Sequence, residues 1–170
     1  MQDHPRGDHV HDRESAALRQ LSRLAIDSEA PLEERICRLI DVGREYLGLP
    51  YGFLTEISEE PQESEVTQRS EGTQKPEGTQ RIVYTSGTHS LLQAGATCPL
   101  SEAYCRKTIQ EESLLAIQNA PAEGWTGDPA YQVFKLGAYI GSKVTAGGEL
   151  YGTFCFAGSE PRSAQFSERE

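Results

Sequence analysis

The spacing of apolar residues changes period several times along the chain. Leu18, Leu21, Leu24 and Ala25 recur at helical spacing, and after Pro31 so do Leu32, Ile36, Leu39, Ile40 and Leu47. Two amphipathic helices are expected, the second ended by Gly48. The run Tyr51-Gly52-Phe53-Leu54-Thr55-Glu56-Ile57 is rich in β-branched and aromatic residues, and a similar run resumes at Arg81-Ile82-Val83-Tyr84-Thr85. Strands over 51–57 and 81–87, paired as a hairpin, follow from this pattern. Leu100, Ala103, Tyr104 and Thr108 predict a helix over 100–109, Leu114–Ile117 a short strand, and Pro129–Leu136 a short helix with Asp128 as N-cap. Strands over 139–145 and 150–157 flank Ala146-Gly147-Gly148-Glu149, where Gly-Gly supplies the positive φ of a tight hairpin turn. Ser167–Glu170 reads as the first turn of a last helix, as if the sequence were part of a longer protein. The implied architecture is α/β of the α+β kind: a central antiparallel sheet of five or six strands with helices on both faces.

Two stretches break the pattern. Residues 58–80 are polar, and Glu71-Gly72-Thr73-Gln74 recurs as Glu77-Gly78-Thr79-Gln80, which reads as a mobile low-complexity insert at the tip of the first hairpin. Residues 1–13 are polar and hold His4, His9 and His11; with no fourth ligand or ordered scaffold in view they read as a disordered tail and not as a metal site. The domain is therefore expected over 14–170.

Length and charge narrow the function classes. The 170 residues suit one domain, and 16 Lys and Arg against 26 Asp and Glu give a formal charge of −10. Such a chain repels phosphate backbones and anionic lipid, so neither nucleic-acid nor membrane contact is expected. The N-terminus lacks the apolar centre of a signal peptide, no run is long and apolar enough to span a bilayer, and the expected location is cytoplasmic. Cys37, Cys98, Cys105 and Cys155 are scattered without CxxC pairs, which argues against a zinc site or a disulfide-stapled fold.

The strings Cys98–Ile109 (CPLSEAYCRKTI), Asp128-Pro129-Ala130-Tyr131, Tyr139–Val144 (YIGSKV) and Gly148–Ala157 (GELYGTFCFA) resemble GAF domains. They are most similar to those of prokaryotic sensor kinases, diguanylate cyclases and haloarchaeal regulators of the bacterio-opsin-activator group. The resemblance runs from about Leu32 to the end, interrupted by the insert. It implies a ligand pocket between the sheet and the short helices, floored by alternate residues of the closing strands. Period 2 puts Tyr151, Thr153 and Cys155 on one face and Leu150, Gly152, Phe154 and Phe156 on the other. The first set, with a phenol, a hydroxyl and a thiol, suits a small-molecule cavity and equally an ordinary half-polar face. Tyr104 and Cys105 would form the opposite wall, Arg106 would meet an anionic group or a surface carboxylate, and Trp125 and Tyr131 would form the rim or anchor their loop.

Chemistry beyond binding has few candidates. Cys105 precedes Arg106 and Lys107, and Cys98 lies near an expected helix N-terminus, a setting that favours thiolate. A thiol-based redox enzyme or redox sensor using Cys98 and Cys105 is thus the alternative reading, beside buried inert cysteines. His89 is the one histidine outside the tail, and no P-loop, HExxH or GxSxG string occurs. The expectation is a regulatory domain, not itself an enzyme, with a cofactor that the sequence leaves unknown. It would bind a small molecule or form a homodimer through N- and C-terminal helices, with Leu18, Leu21 and Leu24 at the contact, and signal to a kinase or transcription-regulator output domain.

Overall fold

The computed structural model describes residues 8–27, 29–58 and 78–167. Six strands form one sheet in the order β3-β2-β1-β6-β5-β4, every neighbouring pair antiparallel. They are β1 (Tyr51–Ser58), β2 (Thr79–Ser86), β3 (Thr97–Pro99), β4 (Leu114–Ile117), β5 (Ala138–Ala146) and β6 (Glu149–Gly158). The helices are α1 (Asp8–Ile26), α2 (Leu32–Leu47), α3 (Cys105–Thr108) and α4 (Pro129–Phe134). The architecture is the α+β sandwich that the pattern implies.

Strand β6 divides the interior into two layers because its side chains alternate. Phe156, with Phe154 partly buried beside it, packs with Ile40, Leu47, Leu49, Ala138 and Ile140 under α2. Cys155 and Ala157 join the larger core beneath α3 and α4, with Phe53, Ile82, Tyr104, Cys105, Ile117, Phe134 and Tyr139. Helix α1 packs on α2, which leaves Leu18 and Ile26 exposed.

Local signals explain most boundaries. Gly48, at φ 64°, ends α2, and its N–H donates to the Arg44 carbonyl. Asp128 caps α4 through its side chain, which accepts from the Ala130 N–H at 2.9 Å, with Pro129 as the first helical residue. Gly147 and Gly148, both at positive φ, make the β5–β6 turn.

Four expectations need correction. Residues 8–13, read as tail, belong to α1; polarity alone does not separate a polar helix end from a tail. His4 lies outside the described residues. The insert is shorter than 58–80, since Ser58 ends β1 and Thr79 and Gln80 begin β2; residues 59–77 lie outside the described residues. The helix expected over 100–109 is broken: Leu100–Glu102 is a 3-10 turn, Ala103 is extended at φ −120° and ψ 148°, and α3 begins at Cys105. Periodicity alone did not show that Cys98 and Pro99 belong to strand β3. The last helix, proposed from Ser167, falls on residues 168–170, which are outside the described residues.

A fourth correction changes a side-chain direction. Val144 pairs with Gly152 but Thr145 pairs with Leu150, so Tyr151 is the extra residue of a β-bulge and the alternation does not carry through it. Its phenol lies within electrostatic reach of Arg81 and Tyr84. These two pair with Glu56 and Leu54, on the α2 side of the sheet. Tyr151 therefore parts from Thr153 and Cys155.

Two measurements test this account. A Cβ added at Gly152 would lie 1.9 Å from the Thr55 carbonyl oxygen, so Gly152→Ala should destabilise the domain by roughly 2–3 kcal/mol and lower Tm by about 5–10 °C. Because Ser58 pairs with Thr79, replacing residues 59–77 by a single Asn leaves an Asn-Gly78 hairpin turn. Thermal melting should then show Tm unchanged or a few degrees higher, since a shorter loop costs slightly less entropy to close; a fall of many degrees would show that the replaced segment packs on the domain.

Candidate functional site

The face of the sheet under α3 and α4 carries a buried cluster of hydroxyls and thiols. Thr55 on β1 and Thr153 on β6 pair across the strands, with their Oγ1 atoms 2.7 Å apart. The Thr153 N–H donates to Thr55 Oγ1 at 3.1 Å. The Thr153 hydroxyl donates to Cys105 Sγ at 3.0 Å, and the Cys155 thiol reaches the same Thr153 oxygen at 3.2 Å. The Tyr139 hydroxyl lies 3.1 Å from Cys155 Sγ, 2.8 Å from Thr108 Oγ1 and 4.0 Å from Cys105 Sγ. Thr108 in turn donates to the Tyr104 carbonyl at 3.2 Å. All seven residues are buried.

The hydroxyls and thiols of this cluster meet one another, as buried groups must to offset their desolvation. Burial raises the Tyr104 and Tyr139 phenols above the usual tyrosine range, and for Tyr139 the two neighbouring sulfurs add to the effect. The Cys155 thiol is pushed up, first by burial and then by Cys105. Cys105 moves down, first through its interaction with Cys155 and then through the hydroxyls of Thr153, Tyr139 and Thr55, which together outweigh the opposing effect of burial.

The structure brings together Tyr104, Cys105, Thr153 and Cys155 from the expected set. Trp125 meets the Tyr104 ring edge-on at 5.6 Å, and both Trp125 and Tyr131 pack on this core while remaining partly exposed. Tyr151 is excluded by its bulge. The Arg106 guanidinium points elsewhere: it pairs with Asp128, both side chains mostly buried, and donates to the Ala103 carbonyl at 2.8 Å. Its work is to fasten α3 to α4. A 460 Å³ cleft lined by Tyr51, Ser159 and neighbours includes none of the eight candidates.

Cys98 behaves differently from the expectation. It lies in β3, opposite Gln80, and burial pushes its thiol up to about 11. The thiolate-favouring setting expected at a helix N-terminus does not exist there, and no hydrogen bond joins Cys98 to Cys105 among the described residues.

Gln80 is a site residue that the pattern hides. It pairs with Ile57 and Cys98, both packed on the core under α3, and it is only 3 % exposed. Its Oε1 is buried with no hydrogen-bond partner among the described residues. Membership in the repeated Glu-Gly-Thr-Gln string assigned it to the insert, and only pairing with β3 turns it inward. Among the described residues no group of three or more His, Cys, Asp or Glu side chains can hold a metal ion, and no helix is long and apolar enough to cross a membrane.

No protein-family model and no curated protein matches the chain. Solved structures do. The phycoerythrobilin-bound GAF domain of a cyanobacterial phytochrome superposes with a TM-score of 0.63 at 14% identity, over 93% of this chain and 86% of that one. The free methionine-R-sulfoxide reductase of Neisseria meningitidis, solved with its substrate, gives 0.61 at 12%, over 99% and 85%. The GAF domain of an Acinetobacter phosphoenolpyruvate-protein phosphotransferase gives 0.57 at 12%, over 95% and 83%. With six antiparallel strands in this order, two long helices on one face and short helices on the other, the chain has the fold of a GAF domain.

Proposed function

We propose that this is a sensory domain that binds a small molecule in the layer between the sheet and the short helices and relays the change to an output domain of the protein it belongs to. The output would be a histidine kinase or a transcription regulator, as the resemblance to sensor-kinase and haloarchaeal regulator domains implies. The observation that carries the reading is the Gln80 amide oxygen, buried without a partner on the face where the polar candidates converge. A buried acceptor left unmet costs about 1–3 kcal/mol, and a ligand N–H or O–H would recover that cost. Two of the compared GAF-fold structures hold a ligand, a bilin in one and a substrate in the other.

The domain has no catalytic role of its own in this reading, contacts neither nucleic acid nor membrane, works in the cytoplasm, and carries no assigned cofactor. It pairs as a homodimer along α1, where Leu18 and Ile26 are exposed at 56% and 81%, while the half-buried Leu21 and Leu24 line the groove between α1 and α2 with Ile36 and Leu39. The proposed ligand shell is Gln80, Tyr104, Cys105, Thr153 and Cys155, with Trp125 and Tyr131 at its rim.

Native mass spectrometry of the purified domain reports both properties. A dimer carrying a bound small molecule is expected, and Leu18→Glu with Ile26→Glu should yield the monomer. Gln80→Leu should keep or slightly raise the Tm of the ligand-free domain, because it removes the unmet acceptor. It should also abolish the ligand-induced rise in Tm that the wild type shows. Equal ligand response in wild type and Gln80→Leu would remove Gln80 from the site, and a ligand-free monomer throughout would overturn the reading.

A further inference from the structure

The geometry points to a reversible disulfide switch: we propose that Cys105 and Cys155 are oxidised together by hydrogen peroxide, with Cys105 as the attacking thiol and Cys155 as the resolving one. The pair is not the one expected from the sequence; both cysteines also belong to the proposed ligand shell, but the switch is argued from the thiol geometry and operates without a ligand. Cys105 enters from α3 and Cys155 from the central strand β6, fifty positions apart in the chain, yet both sulfurs lie within hydrogen-bond range of one oxygen, Thr153 Oγ1, at 3.0 and 3.2 Å. Cys98 is set apart by its position in β3 and its strongly protonated thiol, and Cys37 lies on α2, across the sheet.

The hydrogen bonds give the two sulfurs different roles. Thr153 donates to Cys105, and Thr55, 2.7 Å from the Thr153 oxygen, fixes that hydroxyl's orientation. Negative charge developing on Cys105 during attack is therefore met by a donor already in place. Cys155 donates to Thr153 and contacts the Tyr139 hydroxyl, so it keeps its proton until a sulfenic acid forms beside it.

The chemistry balances with peroxide as the named oxidant. The Cys105 sulfur attacks one peroxide oxygen, the O–O bond breaks, and the departing hydroxide takes the thiol proton to leave as water, giving Cys105 sulfenic acid. The Cys155 sulfur then attacks that sulfur; the S–O bond breaks, the S–S bond forms, and the leaving hydroxide takes the Cys155 proton as a second water. Two thiols are oxidised by two electrons in all, and one peroxide is reduced to two waters. Both sulfurs are buried, so the oxidant enters when α3, only four residues long, opens locally. Closing the S–S bond to about 2.05 Å removes the Thr153 hydroxyl from between the sulfurs and draws α3 onto β6.

The test uses the full chain. After graded exposure to hydrogen peroxide, it is unfolded in an alkylating reagent and analysed intact and as peptides without reduction. The expected product has lost two hydrogens, carries a single disulfide between the Cys105 and Cys155 peptides, keeps Cys37 and Cys98 alkylated, and reverts on reduction. In Cys155→Ser, Cys105 should stop at a sulfenic acid that dimedone traps, whereas Cys105→Ser should give neither disulfide nor dimedone adduct. Thr153→Val, close in shape to the native residue, should slow disulfide formation roughly tenfold, the rate equivalent of one hydrogen bond to a charged group, while circular dichroism confirms the fold. A disulfide that includes Cys37 or Cys98, oxidation of those two with Cys105 and Cys155 still free, or equal rates in wild type and Thr153→Val would each overturn the proposal. The ligand reading is decided separately, by the ligand-induced Tm shift in wild type and Gln80→Leu, so the two failures are distinguishable.

Discussion

The Thr153 hydroxyl is the point through which the helix-covered layer is held in register. It lies on the central strand, meets Thr55 of the neighbouring strand, donates to Cys105 of α3 and receives the Cys155 thiol. An apolar interior tolerates small slips of one element on another; a chain of buried hydroxyls and thiols does not, since each group left unpaired pays its full desolvation cost. A displacement of about one ångström at α3 would break several of these bonds together. Tyr139 extends the same constraint from β5 to Thr108, so the two ends of α3 are tied to two different strands.

The α2 side of the sheet is held differently. Phe154 and Phe156 meet edge to face at 5.1 Å, Ile40 and Leu47 close over them, and the polar ties lie at the rim, where Arg44 of α2 donates to Ser86 of β2 and Ser86 to Asp41. The two layers share β6, so its alternation decides both. The polar contacts add specificity to the side that also carries the larger apolar core.

The alternation of β6 was legible because period 2 is a geometric property of a strand, and the split of Cys155 from Phe154 and Phe156 needed nothing more. Legibility stopped where pairing, and not spacing, decides. The bulge at Tyr151 is set by how β6 meets β5, so no local pattern in Gly148–Thr153 announces it. Gln80 looks like the second copy of a polar repeat until β3 pairs with it. Arg106 reads equally as a cation for a ligand or as half of an ion pair until Asp128, a partner 22 residues away, is placed beside it. By contrast, the Asp128-Pro129 cap depends only on adjacent residues, and it was readable for that reason.

Asp128 links these layers to any output. One carboxylate oxygen caps α4 by accepting the Ala130 N–H, and the other takes the Arg106 guanidinium of α3. A partly buried ion pair of this kind loses far more when one partner moves away than the intact pair contributes, because the remaining charge is left unsolvated. Helix α3 therefore cannot shift alone. Either α4 follows it, keeping the pair, or the pair breaks and α4 loses its stabilised N-terminus, which for a six-residue helix is a large share of its intrinsic support. In both cases movement that begins among Cys105, Thr153 and Cys155 reaches α4 and, through Trp125 set edge-on to Tyr104, the loop before it. A layer of interlocked hydroxyls and thiols is thus compatible with sensing: its stiffness up to the breaking point makes the response of α4 discrete.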